Sequence, residues 1–193
     1  MAVVAIEPHP PLTPASPKWR PGDPRPDLPS ILRVDQAGEY GATRIYAGQL
    51  AVLGESHSAA HLIAGMAQQE ERHLAHFDEL LSSRSVRPTL LQPFWRVAGH
   101  ALGAGTAMIS PEAAMACTAA VEDEIDGHYD AQLRVLGTED PPLAQAIAQF
   151  QADEREHRDT ALEHGAEQSV GYPLLYAAIR AGCRVAIELS KRI

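Results

Sequence analysis

Several features are scarce in this chain of 193 residues, and each scarcity excludes a class of protein. Aromatic residues make up 5% of the sequence, which favours helices packed by Ala and Leu. Only two cysteines occur, Cys117 and Cys183, and they form no Cys-x-x-Cys pair, so zinc ribbons, rubredoxin-like iron sites and disulfide scaffolds are excluded. The 25 acidic residues outnumber the 16 basic ones, and the net charge of −9 argues against a nucleic-acid partner.

Long apolar runs are also missing from this sequence. No stretch of 18 uncharged apolar residues occurs, so no membrane-spanning helix is predicted. The first 29 residues hold nine of the 15 prolines, and a segment of that composition forms no helix and has little to bury. We therefore predict an extended arm over residues 1–30 and one folded domain over residues 31–193.

Helical periodicity continues almost without a break after residue 31, so the predicted fold class is all-α. Ser110 and Asp140 each precede a proline and are predicted N-caps, with the proline in the first turn. Four long helices are predicted over about residues 35–53, 57–83, 111–136 and 141–164. A shorter connecting helix is predicted over 93–108, and an amphipathic helix from Pro173 to the end.

The motif Glu-x-x-His occurs twice, and each copy follows a lead glutamate at a similar distance. The first set is Glu39, Glu70 and His73, and the second set is Glu122, Glu154 and His157. Both lead glutamates are followed by Tyr at the seventh position and Gln at the tenth, namely Tyr46 and Gln49, and Tyr129 and Gln132. Residues three apart share a helical face, so each motif can bind one metal ion. The sequence therefore predicts an internal repeat of one helix pair.

The six Glu and His residues share helical stripes with apolar residues, so their side chains are predicted to face a core. Four carboxylates could not stay ionised there without counter-charge. Two divalent cations would supply it, and four Glu with two His from four antiparallel helices describe the dimetal site of a ferritin-like four-helix bundle. Mixed carboxylate and imidazole donors suit iron or manganese better than structural zinc. The alternative is a bundle with solvated acidic faces and incidental histidines.

Other residues are candidates for supporting roles around this site. The imidazoles are expected to donate hydrogen bonds to carboxylates, and the candidate acceptors are Asp35, Asp126 and Asp153. Tyr46 and Tyr129 either line a pocket or pack the core. His128 lies near the site or on the surface.

Longer segments resemble the demethoxyubiquinone hydroxylases, the di-iron monooxygenases of ubiquinone biosynthesis. The run Arg33–Leu50, RVDQAGEYGATRIYAGQL, resembles their opening helix. Further similar segments are VRPT at 86–89, ALGAGTA at 101–107, AMACTAAVE at 114–122 and AGCRVAI at 181–187. The resemblance covers residues 31–193 and implies iron ligands at Glu39, Glu70, His73, Glu122, Glu154 and His157. One departure is Gln36, where the family usually has His.

The resemblance implies an O2-dependent hydroxylation of the free ring carbon of a polyprenyl methoxy-methyl-benzoquinol, with two Fe ions as cofactor. No dinucleotide, flavin or iron–sulfur motif occurs, so electrons are expected from an external reductant. Three electron donors remain open: a reductase, NADH itself and the quinol. The main alternative is a ferritin-like iron-storage or ferroxidase protein. A tRNA hydroxylase is a further alternative, which the acidic composition disfavours.

The isoprenoid tail of such a substrate lies in a bilayer, so the chain is expected to meet a membrane surface. The apolar segment 93–109 and the basic amphipathic segment 172–193 are the predicted contacts. The residues expected at lipid phosphates are Arg180, Arg184, Lys191 and Arg192, and those expected among acyl chains are Leu175, Ile179 and Leu189. The family also implies a lipid-binding accessory protein. In a bacterium the expected location is the cytoplasmic face of the cell membrane, and monomer and dimer both remain open.

Overall fold

The computed structural model describes residues 26–54 and 57–193, and this part of the chain is helical without a strand. Its helices are α1 (Leu28–Leu53), α2 (Ser58–Ser83), α3 (Gln92–Ile109), α4 (Pro111–Leu136), α5 (Pro141–Glu163) and α6 (Tyr172–Arg192). A short 3-10 turn at Ala166–Gln168 joins α5 to α6. The predicted all-α class is confirmed. Most of the arm predicted for residues 1–30 lies outside the described residues.

Most helices begin where the capping residues predict. The Ser110 Oγ accepts a hydrogen bond from the Ala113 amide at 3.1 Å, and the Asp140 carboxylate accepts one from the Leu143 amide at 3.2 Å. Each cap binds an amide that has no partner within its own helix. A proline then occupies the first turn of α4 and of α5. Local sequence therefore sets the start of both helices.

The predicted start of the first helix is wrong, because α1 begins at Leu28 and not near residue 35. The Asp27 carboxylate accepts a hydrogen bond from the Ser30 amide at 3.2 Å, and Pro29 lies in the first turn. Leu32 is fully buried, so the added turns pack against the core. Pro29 was one of the prolines that predicted an extended arm, but a proline is compatible with the first turn of a helix.

Helices α1, α2, α4 and α5 form a four-helix bundle, and α3 and α6 pack on its outside. Buried apolar residues cluster at one end around Ile63 and Met115, and at the other end around Leu32 and Ile147. Helix α3 lies along α1, while α6 lies along α4 and also contacts α1. No helix of the described residues has the length and apolar character needed to cross a membrane.

Helices α1 and α3 approach each other backbone to backbone. A Cβ atom built on Gly103 would lie 1.9 Å from the carbonyl oxygen of Ile45, and one built on Gly48 would lie 2.2 Å from that of His100. Both distances are far below van der Waals contact. Any side chain at these two positions would therefore push the helices apart, which explains why α3 can lie so close to the bundle.

Helix α6 is held to α4 by ion pairs. Arg180 Nε lies 2.9 Å from Glu124 Oε2, and Arg184 Nε lies 2.9 Å from Glu124 Oε1. Burial opposes ionisation of Glu124, but the two guanidinium groups lower the pKa of its carboxyl. Ile179 is 6% exposed and packs in the core, so its predicted place among acyl chains is wrong. Arg180 and Arg184 were predicted to meet lipid phosphates, but both bind the carboxylate of Glu124 in this chain.

We expect Gly103→Ala to destabilise the protein by about 1 to 3 kcal/mol, because the added methyl group meets backbone atoms that cannot rotate away. The matched control is Gly105→Ala on the same helix, where a Cβ atom has nothing within 4 Å. The control should be stabilised by up to about 1 kcal/mol through helix propensity. Urea unfolding of both variants measures the difference. Equal stability of the two variants would contradict the close approach of α1 and α3.

Candidate metal centre

Six buried side chains from the four bundle helices meet in the core between the two apolar clusters. They form two overlapping groups, and within each group the possible ligand atoms all lie within 4.8 Å of one another. The first group is Glu39, Glu70, His73 and Glu154, and the second is Glu70, Glu122, Glu154 and His157. Glu70 and Glu154 belong to both groups. The structure thus brings together every residue selected by the sequence repeat.

Both imidazoles point their Nδ1 atoms at the carboxylates. His73 Nδ1 lies 3.3 Å from Glu154 Oε1, and His157 Nδ1 lies 3.1 Å from Glu70 Oε1. The Nε2 atoms point away from the cluster, that of His73 to Asp153 Oδ2 at 3.0 Å and that of His157 to Gln69 Oε1 at 3.4 Å. These outer contacts fix the ring orientation and leave Nδ1 free to bind a metal ion.

Only one of the three aspartates considered from the sequence contacts either imidazole. Asp153 does so, and that prediction is confirmed. Asp126 accepts hydrogen bonds from Gln151 and Arg155 on α5. Asp35 accepts one from Gln132. The prediction is therefore wrong for Asp35 and Asp126.

Eight buried atoms of this cluster that could each bind a metal ion have no hydrogen-bond partner in the protein. They are Glu39 Oε2, Glu122 Oε2, both carboxylate oxygens of Glu70 and of Glu154, and the Nδ1 atoms of His73 and His157. Buried polar atoms are almost always paired, so a convergent set without partners fits a bound cation. Each group offers three carboxylates and one imidazole, a donor set that suits iron or manganese. The residues present therefore fit two divalent metal ions.

The electrostatics of the cluster also favour cations. Burial and then the nearby Glu154 carboxylate raise the pKa of Glu70 and of Glu122 well above the usual range. Burial works against a charged imidazole at His73, but Glu154 and Glu39 raise its pKa to about 10. When no metal ion is bound, protons bound to these side chains therefore reduce the negative charge of the cluster. Metal binding must displace them, so metal affinity rises with pH.

The two tyrosines of the sequence repeat cross-link the halves of the bundle. The Tyr46 hydroxyl donates a hydrogen bond to Glu122 Oε1 at 2.6 Å, and the Tyr129 hydroxyl donates one to Glu39 Oε1. Each tyrosine thus holds the lead glutamate of the other half. Spacing alone left their role open, because it could not show which helix each ring faces.

An apolar cavity of about 490 Å³ lies on the side of α1 and α4 that faces away from α2 and α5. Helices α3 and α6 form its walls, and the Trp95 indole donates a hydrogen bond to Ser190 Oγ between them at 3.0 Å. A narrow cleft shares Ala42, Ile45 and Val121 with the cavity and reaches the metal cluster. Sequence reasoning missed this cavity, because its lining residues are spread over four helices that are distant in sequence.

Comparison with known proteins places this architecture in a family. The family model "Ubiquinone biosynthesis protein COQ7" matches residues 26–190. A Rhodospirillum rubrum protein named 3-demethoxyubiquinol 3-hydroxylase is 52% identical over 175 residues, which are 90% of this chain and 82% of that protein.

Relatives from eukaryotes are similarly close. A mouse protein named NADPH-dependent 3-demethoxyubiquinone 3-hydroxylase, mitochondrial, is 55% identical over 84% of this chain and 76% of its own length. A Saccharomyces cerevisiae protein named 5-demethoxyubiquinone hydroxylase, mitochondrial, is 46% identical over 86% of this chain and 78% of its own length. The chain belongs to the COQ7 family of ubiquinone biosynthesis proteins.

Proposed function

We propose that this chain is a di-iron monooxygenase that uses O2 to hydroxylate the free ring carbon of a polyprenyl methoxy-methyl-benzoquinol, a demethoxyubiquinol. One observation carries the proposal. Eight atoms of buried Glu and His side chains that could bind metal ions, and that have no hydrogen-bond partner, converge beside an apolar cavity. Family membership gives the chemistry of the substrate, since its relatives are named demethoxyubiquinone or demethoxyubiquinol hydroxylases. Those names give no support to the iron-storage alternative.

The reaction needs electrons from outside this chain. One oxygen atom of O2 enters the ring carbon–hydrogen bond, and the other leaves as water after taking up two electrons and two protons. The mouse relative is named for its dependence on NADPH. We therefore assign a reduced nicotinamide nucleotide, NADPH or NADH, as the external reductant of this chain as well.

Glu39, Glu70, His73, Glu122, Glu154 and His157 would hold the two iron ions, which supply the site of O2 reduction. Glu70 and Glu154 belong to both groups, so their carboxylates would help to hold both ions. Tyr46 and Tyr129 hold the outer carboxylates in place through hydrogen bonds. The apolar walls of the cavity take up the ring and the start of the tail and keep water away.

The exposed surface beside the cavity supports contact with a bilayer. Val97 on α3 is 68% exposed, and Leu174 on α6 is 78% exposed. Phe94, Met108 and Val185 are also exposed on these two helices. An amphiphilic substrate could pass from the lipid between α3 and α6 into the cavity. We therefore propose peripheral membrane binding, on the cytoplasmic face of the cell membrane in a bacterium, with a lipid-binding accessory protein as a second partner for this surface.

We expect the purified protein to hold about two iron ions per chain. Glu122→Ala and His157→Ala should each lose at least one of them, because each removes a donor for which the cluster has no substitute. Glu156→Ala, an exposed neighbour on α5, is the control and should keep both. Elemental analysis after gel filtration measures the content. Unchanged iron in both cluster variants would rule out the proposed ligands.

We expect the iron-loaded protein, given a short-tailed demethoxyubiquinol, NADPH, a reductase and isotopically labelled O2, to form a product with one labelled oxygen atom. Mass spectrometry of the extracted quinone measures the incorporation. The control is the metal-free protein under the same conditions. Oxidation of iron without any hydroxylated product would contradict the proposed reaction and favour the ferroxidase alternative.

Charge placed on the exposed apolar surface should weaken membrane binding. We expect Val97→Asp together with Leu174→Asp to lower liposome co-sedimentation more than about tenfold, since two apolar contacts become charged. The control is Ala64→Asp together with Ala148→Asp, which adds the same two charges at exposed positions of α2 and α5, helices that do not line the cavity between α3 and α6. Iron content should stay the same in all variants. Equal binding by the double variant and the control would exclude this surface as the membrane contact.

A further inference from the structure

The internal repeat makes the two sides of the metal centre nearly equivalent, so the few positions where the halves differ are informative. Tyr46 and Glu122 occupy one side, and their counterparts Tyr129 and Glu39 occupy the other. Both sides have the same hydrogen bond between hydroxyl and carboxylate. A substrate that enters from one direction must nevertheless meet one side first.

On the Glu122 side, a narrow cleft runs from the apolar cavity toward the metal centre. Ala42, Ile45 and Val121 line both the cavity and the narrow cleft that leads to Tyr46 and Glu122. As these side chains stand, the cleft has no room for a water molecule, so a ligand must push Ile45 and Val121 apart. Only small or flexible apolar groups therefore separate the cavity from the Tyr46 hydroxyl.

The Glu39 side is filled at the corresponding place. Gly38 and Ile125, the counterparts of Val121 and Ala42, also line the cavity. Ile125 is larger than Ala42, and the counterparts of Ile45 and Thr118 are the titratable residues His128 and Asp35.

Three polar side chains close this side. The Gln132 amide donates hydrogen bonds to Asp35 Oδ1 at 2.6 Å and to His128 Nε2 at 2.8 Å. His128 Nε2 also lies 3.5 Å from the Asp35 carboxylate. A buried network of this kind is costly to break, because each group would lose its partner. Access from this side is therefore blocked by hydrogen-bonded side chains.

We propose that the substrate ring reaches the metal centre on the Glu122 side and that Tyr46 orients it there, whereas Tyr129 only positions Glu39. This inference rests on the proposed function. The Tyr46 hydroxyl donates its one hydrogen to Glu122, so its oxygen can still accept a hydrogen bond from a ring hydroxyl of the quinol. Tyr46 is 1% exposed, so that bond would form away from water.

The matched variants Tyr46→Phe and Tyr129→Phe test this assignment, because each removes one hydroxyl from an equivalent hydrogen bond. The probe is a demethoxyubiquinol with a single isoprene unit, bound without O2 and followed by calorimetry. We expect Tyr46→Phe to raise the dissociation constant up to about tenfold, and Tyr129→Phe to leave it within about twofold. In turnover, Tyr46→Phe should raise KM, whereas Tyr129→Phe should act on kcat through Glu39.

A second variant, Ala42→Ile, copies the bulk of Ile125 into the cleft. We expect it to weaken quinol binding more than about tenfold while the iron content stays unchanged. If this variant fails to fold, the pair of tyrosine variants still tests on which side the substrate ring binds. Equal effects of Tyr46→Phe and Tyr129→Phe on binding, in a wild type that binds and hydroxylates the quinol, would overturn only the choice of side. A wild type that binds no quinol would overturn the proposed function and this inference together.

Discussion

Four glutamate side chains share the same dry core, and the rest of the structure depends on how their charge is balanced. Within the described part of the chain, their basic contacts are the two imidazoles, and no Lys or Arg forms an ion pair with them. Two divalent cations resolve this imbalance, and the partnerless donor atoms point to where they bind. The bundle, its tyrosine hydrogen bonds and the outer contacts of the imidazoles all serve to hold these carboxylates together.

The repeat of a lead glutamate followed by Glu-x-x-His explains how so much of the centre could be predicted from sequence. Helical spacing places Glu70 and His73 on one face, and burial of polar residues among apolar ones shows that the face points inward. Helix starts at Ser110 and Asp140 were equally predictable, because a cap acts on amides three residues away.

Other features depend on contacts between distant residues and left no local signal. The ion pairs of Arg180 and Arg184 with Glu124 direct these two basic side chains of α6 toward α4, although periodicity alone allowed them to face lipid. The cavity is lined by residues of α1, α3, α4 and α6, which come together only in the folded chain. The early start of α1 depends on Asp27, whose capping role was masked by the surrounding prolines.

The central claim is that the buried carboxylates require metal ions, and thermal unfolding across pH tests it most directly. Folding raises the pKa of Glu70, Glu122 and His73, so the metal-free protein binds extra protons and loses stability as pH rises from about 6.5 to about 10. Bound Fe(II) replaces those protons, so the gain in Tm from Fe(II), measured without O2, should widen over the same range. A gain in Tm that is absent, or that shrinks as pH rises, would contradict this account.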